Sequence, residues 1–114
     1  MQDDGTKRTF DTGATRGTAE DKYDYEGFLS PLVIKRFGEY MHAHRKQSDG
    51  TLRDSDNWQK GIPTDEYMKS AWRHFFEWWR LYRQGAAKAD AMEAALCGLM
   101  FNVMGYLHEH LKKH

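Results

Sequence analysis

The segment from Thr64 to Gly85 constrains the fold more than any other part of the chain. Met68, Trp72, Phe75, Trp79 and Tyr82 recur at helical spacing, and Tyr67, Ala71, His74, Trp78 and Leu81 form a second stripe beside them. Apolar residues three and four apart mark one face of a helix. Two adjacent stripes make a face wider than a surface helix needs. The ends are marked as well. Thr64 opens the helix, Asp65 and Glu66 suit the positive end of the helix dipole, and Arg80 and Arg83 suit the negative end. Gly85 is placed to close it in a left-handed conformation.

Two further helical patterns flank this one. Ser30-Pro31 is a helix start, since serine caps well and proline loses nothing at the first helical position. Val33, Ile34, Phe37, Tyr40, Met41 and His44 follow at helical spacing, which predicts a helix to about His44 or Gln47. Glu39, His42 and Lys46 succeed one another by about a turn on its other side. A third helix is predicted from about Lys88 to Leu111, through Met92, Leu96, Leu99, Val103, Tyr106 or Leu107, and His110. No alternating strand pattern with turn signals stands out. The expected fold is all-α, with three main helices. Three helices cannot easily cover an aromatic second helix and an apolar third one, so a homodimer completing a bundle of four or more helices is expected.

At 114 residues the chain has room for one domain. Residues 1–22 are polar, with Phe10 the one large apolar side chain after Met1, and such a segment cannot order itself by burial. Residues 23–114 then form the helical domain. The formal net charge is zero, so no global pull toward DNA, RNA or an anionic membrane is expected. The longest apolar run, Leu96 to Leu107, is interrupted by Gly98, Asn102 and Gly105 and is too short to span a bilayer. The start, MQDDGTKRTF, lacks the apolar core of a secretion signal. Cys97 has no intrachain cysteine to pair with, which suits a reducing cytoplasm. The histidine pairs His42/His44 and His108/His110 are two apart and diverge on a helix, which argues against structural zinc.

Three groups of residues are candidates for chemistry. On the third helix, Ala91, Ala95, Gly98, Asn102, Gly105 and Glu109 fall on one line. Either another helix packs closely there, with Asn102 bonded across the contact, or the small residues leave room for a ligand that Asn102 touches. On the second helix, His74 is either a satisfied core histidine or pairs with a carboxylate beside a phosphate-holding Arg73. Between the first two helices, a long punctuated loop from Ser48 to Pro63 carries SDNWQKG at residues 55–61. Trp58 there is an anchor for the loop or a base-stacking platform, with Asp56, Asn57 and Lys60 at the rim of a pocket.

Taken in order, TGATR (12–16), KYD (22–24), SDNWQKG (55–61), Arg73-His74 and FNVMGYLHE (101–109) resemble the phage-associated dATP/dGTP diphosphohydrolase N-terminal domain family, which is similar to the MazG-type all-α nucleotide pyrophosphohydrolases. The match runs from about Thr12 to Glu109. The resemblance implies hydrolysis of a purine deoxynucleoside triphosphate to monophosphate and pyrophosphate with a divalent metal, in the host cytoplasm if a phage encodes the chain. It points to Glu39 and His74 as catalytic residues, to Asn57, Trp58, Arg73 and Asn102 for substrate, and to Glu93 as an acidic position. Mg²⁺ or Mn²⁺ takes oxygen ligands, often one or two carboxylates plus phosphate oxygens and water. Glu39 with Glu93 or Asp56 would supply that minimum, and Lys60 and Arg73 would neutralise phosphate charge. The paired Glu-x-x-Glu and Glu-x-x-Asp helices usual in MazG-type enzymes are not reproduced: His42 stands one turn beyond Glu39.

Overall fold

A computed structural model describes residues 7–9, 13, 15–17, 22–85 and 88–114. The chain divides into two units, residues 1–31 and 32–114. In the first, β1 (Lys7–Thr9) pairs antiparallel with β2 (Thr15–Gly17), with Thr9 opposite Thr15. Gly13, with φ of 84°, lies in the connection. Most of the expected unstructured segment 1–22 lies outside the described residues. Within it residues 7–9 and 15–17 are paired, because backbone hydrogen bonds in a short hairpin need little apolar burial and threonine suits an extended backbone. A single helical turn, α1 (Tyr25–Phe28), follows, capped by Asp24, whose Oδ1 accepts from the Gly27 amide at 2.9 Å.

The second unit is built on three long helices: α2 (Pro31–Ala43), α3 (Thr64–Gln84) and α4 (Ala89–Lys113). The all-α expectation holds, and the ends of α3 and α4 fall close to where the sequence puts them. Gly85 closes α3 at φ of 62°, a left-handed conformation that glycine adopts without strain. The helix α2 stops at Ala43, short of the expected end. His44 and Arg45 donate their amides to the carbonyls of Met41 and His42, three residues back, which tightens the last turn. The Tyr40 carbonyl accepts from His44 Nδ1 at 2.8 Å, so a side chain caps what the next turn would have used.

The helices α3 and α4 form an antiparallel hairpin. Its seam is the small-residue line of α4: Ala95, Gly98, Asn102, Gly105 and Glu109 are all buried. A Cβ at Gly98 would run into the His74 ring, and one at Gly105 into the Tyr67 ring. Two aromatic rings seven residues apart on α3 thus rest on two glycines seven residues apart on α4. The cost of a glycine in a helix, about 1 kcal/mol, is offset by that close approach. Leu81 and Cys97 complete the buried set among the described residues. On the other side of α3, Trp72 and Tyr82 remain 65% and 70% exposed, so the apolar face expected to need cover is bare.

Candidate functional site

The segment between α2 and α3 is more ordered than the long loop expected from its glycines and polar residues. Asp49-Gly50 makes a turn, with Gly50 at φ of 88° and Asp49 Oδ1 accepting from the Thr51 amide and hydroxyl at 3.0 and 2.6 Å. These bonds hold the Asp49 carboxyl below the usual carboxylate range. Lys46 and Leu52 then face each other across an antiparallel bridge. The Arg53 amide donates to the Arg45 carbonyl at 2.8 Å, and Arg45 Nε donates to the Arg53 carbonyl at 2.7 Å. Arg53 Nη2 donates to the His44 carbonyl at 2.6 Å. The two arginines are therefore cross-strand neighbours whose guanidinium groups keep further N–H donors beyond these bonds.

A 3₁₀ turn follows at Asn57–Lys60 and ends at Gly61, with φ of 117°. Trp58 is half-buried. Its ring meets His108 edge-on at 4.8 Å and Phe101 edge-on at 6.1 Å, both from α4. The anchor reading of the loop tryptophan is what these contacts describe. Trp58 pins the segment to α4 and so fixes Asn57 beside it.

These elements enclose a cavity of about 550 Å³ on the side of the hairpin where α2 lies. Tyr40 and Met41 come from α2, Arg45 and Arg53 from the bridge, Asn57 and Trp58 from the 3₁₀ turn, Ser70 and His74 from α3, and Phe101 and Asn102 from α4. Asn57, Trp58 and Asn102, expected to hold substrate, and His74, expected to be catalytic, are brought together. Asn102 is bonded within its own helix, not across the seam: its Nδ2 donates to the Gly98 carbonyl at 2.7 Å. Burial pushes the His74 imidazole below the usual histidine range, helped by the charges of Arg73 and His44. His74 is thus a neutral hydrogen-bonding group at neutral pH, and no carboxylate pairs with it among the described residues.

The other expected site residues lie elsewhere. Glu39 is exposed on α2 and ion-paired with Lys35 at 2.6 Å, which lowers its pKa. Glu93 of α4 is held by Arg36 Nε of α2 at 2.7 Å. Arg73 and Lys60 are exposed and do not line the cavity, nor does Asp56. A divalent ion would need its oxygen ligands gathered within a few ångströms. Glu39 and Glu93 each have a cation as partner, and no group of three His, Cys, Asp or Glu side chains that could hold a metal occurs among the described residues. This set does not fit Mg²⁺ or Mn²⁺.

Arg45, Arg53 and Tyr40, with His42, His44 and Asp54, are among the lining residues that sequence reasoning missed. A signal was present: Asp49-Gly50 is a turn dipeptide, and residues placed either side of it become cross-strand neighbours. A second, apolar cavity of about 520 Å³ lies on the opposite side of the hairpin, lined by Tyr67, Met68, Val103, Tyr106 and Leu107, with Asn102 on its wall. No protein-family model matches the chain, and neither a curated protein nor a solved structure is significantly similar to it.

Proposed function

We propose that the chain binds a purine deoxynucleoside triphosphate in the cavity between α2, the bridge and the α3–α4 hairpin. The observation that carries this reading is the meeting of two kinds of surface in one pocket of suitable size. Trp58, Tyr40 and Phe101 offer aromatic surface for a base, while Arg45 and Arg53 offer guanidinium donors for phosphates. Pockets for small ligands span roughly 300–1,000 Å³. Asn57, Asn102 and neutral His74 add donors and acceptors for the base edge and sugar. The family resemblance supplies the ligand class, and the pocket supplies groups that suit it.

Hydrolysis to monophosphate and pyrophosphate, which the same resemblance implies, asks for a metal set that the described carboxylates do not form. The reading therefore stops at binding, as a catalytically silent relative of that family. Binding as a homo-oligomer in a reducing cytoplasm fits the bare α3 face and the buried Cys97 thiol, whose pKa burial raises.

The test is calorimetric titration with dATP and dGTP, alongside deoxyadenosine and inorganic triphosphate. Both triphosphates are expected to bind more tightly than either fragment. Arg45→Gln is expected to weaken them about tenfold, the loss of about 1.4 kcal/mol in one charge-assisted contact. No heat with any triphosphate at millimolar concentration would sink the reading. Pyrophosphate release with Mg²⁺ or Mn²⁺ would return hydrolysis to first place.

A further inference from the structure

We infer that the bare face of the α3–α4 hairpin is covered by the same face of a second copy, with the two α3 helices antiparallel and Phe75 near the twofold axis. This rests on the homo-oligomer reading and adds the surface and the orientation. Met68, Trp72, Phe75, Trp79 and Tyr82 alternate spacings of four and three along α3, the repeat of a seam between two helices. They are exposed by 49, 65, 44, 52 and 70%. Large side chains offer about 150–250 Å² each, so this stripe alone exposes on the order of 500 Å². Val103, Tyr106 and Leu107 of α4 extend it across the second cavity, where they meet Met68. The whole face then approaches the roughly 800 Å² per partner of a standard interface, and it exceeds the largest apolar patch of an ordinary monomer, about 300–600 Å².

Charge selects both the occupant and its direction. The first turn of α3 carries Asp65 and Glu66, and its last turn carries Arg83. About an axis at Phe75, residues 65 and 66 of one copy fall opposite 85 and 84 of the other. The acidic end of each α3 then lies along the basic end of its partner, and the helix dipoles oppose. A parallel pair would set acid against acid. An isologous contact satisfies both ends at once, because the two patches are the same patch. The same register puts Tyr82 of the second copy opposite Met68, over the mouth of the 520 Å³ apolar cavity. A chain with formal net charge of zero meets no overall repulsion in pairing with itself.

The experiment is sedimentation of the full chain combined with oxidative cross-linking. The native chain is expected to sediment as a dimer at micromolar concentration. Phe75→Cys is expected to cross-link to itself. Met68→Cys and Tyr82→Cys are expected to cross-link when mixed, and neither alone. Phe75→Glu is expected to raise the dimer Kd at least about a hundredfold while circular dichroism stays helical. A native chain that sediments as a monomer would remove the homo-oligomer reading and this inference together. A dimer in which Met68→Cys cross-links to itself, or in which none of these pairs forms, would leave the oligomer and overturn this face and orientation.

Discussion

The two sides of the α3–α4 hairpin are made from the same two helices and finished in different ways. On one side, α2 reaches across through Arg36 to Glu93, and Trp58 pins the connecting segment to Phe101 and His108. On the other side, Trp72, Trp79 and Tyr82 stand more than half exposed, and the rings of Trp72 and Trp79 meet Phe75 and Phe76 of α3 itself. Aromatic content does not separate the two sides, since both are rich in it. Polar complement does. The covered side holds arginines, asparagines, histidines and Asp54 at a cavity, whereas the bare side holds a row of exposed rings along α3. A surface built for a small polar ligand and a surface built for another apolar surface therefore share one backbone, and the seam between the helices serves both.

Breaking the seam should have the largest effect. Tyr67 is 2% exposed and lies on Gly105 and Phe101. Tyr67→Ala is expected to cost about 3–5 kcal/mol in urea unfolding, the range for removing a buried aromatic ring. That would damage both sides together. Its hydroxyl is buried without a partner among the described residues, so Tyr67→Phe should cost far less, or nothing.

Glycine positions sharpen the comparison through the sign of the change. Gly98→Ala sets a methyl against the His74 ring and is expected to destabilise by about 1–3 kcal/mol, the cost of overpacking. Gly38→Ala on α2 meets nothing within contact distance, and is expected to stabilise by up to about 1 kcal/mol through helix propensity. Paired thermal melts check both. Equal signs would mean that the seam is looser than the ring contacts imply.

The covered side should also carry a pH dependence. His74 is held below the usual histidine range in the folded chain, while the unfolded chain titrates near 6.5. Between the folded pKa and about 6.5 the unfolded chain binds more protons, so stability rises with pH through that window. The contribution is complete above about pH 6.5, is lost as pH falls toward the folded pKa, and changes no further below it. One proton gives a slope of at most about 1.4 kcal/mol per pH unit. Subtracting His74→Gln from the native chain should isolate this slope in unfolding free energies from pH 7.5 to 4.5. An unchanged profile would place the ring in water.

The smallest effect is expected at Glu39. Its carboxylate is exposed and engages Lys35 one turn back, an arrangement of little consequence at a surface. Glu39→Gln should leave nucleotide binding and the melting temperature where they were. A lost affinity would bring Glu39 into the cavity after all.

Local signals were legible in the chain and distant ones were not. The termini of α3 follow from Asp65, Glu66 and Gly85, and the buried line of α4 follows from Ala95, Gly98, Asn102 and Gly105, because each depends on spacing within one helix. Trp58 as an anchor was readable from its isolation among polar neighbours. The partner of Glu93 is Arg36, 57 residues away, and no local pattern joins them. Two of the three expected metal carboxylates, Glu39 and Glu93, look free in the sequence because lysine and arginine are common on helices and their choice of partner is tertiary. Arg45 and Arg53 are hidden for the opposite reason: a turn with strand-like pairing has the glycines and polar residues of an open loop.

Asn102 belongs to both sides. It lines the polar cavity and the apolar one, and it is the residue their walls share among those described. Its side-chain amide is held there by a hydrogen bond from Nδ2 to the Gly98 carbonyl. The two compartments thus have one side chain in common. A guest that touches this amide from the polar side and a ring that reaches it from the apolar side would meet the same group.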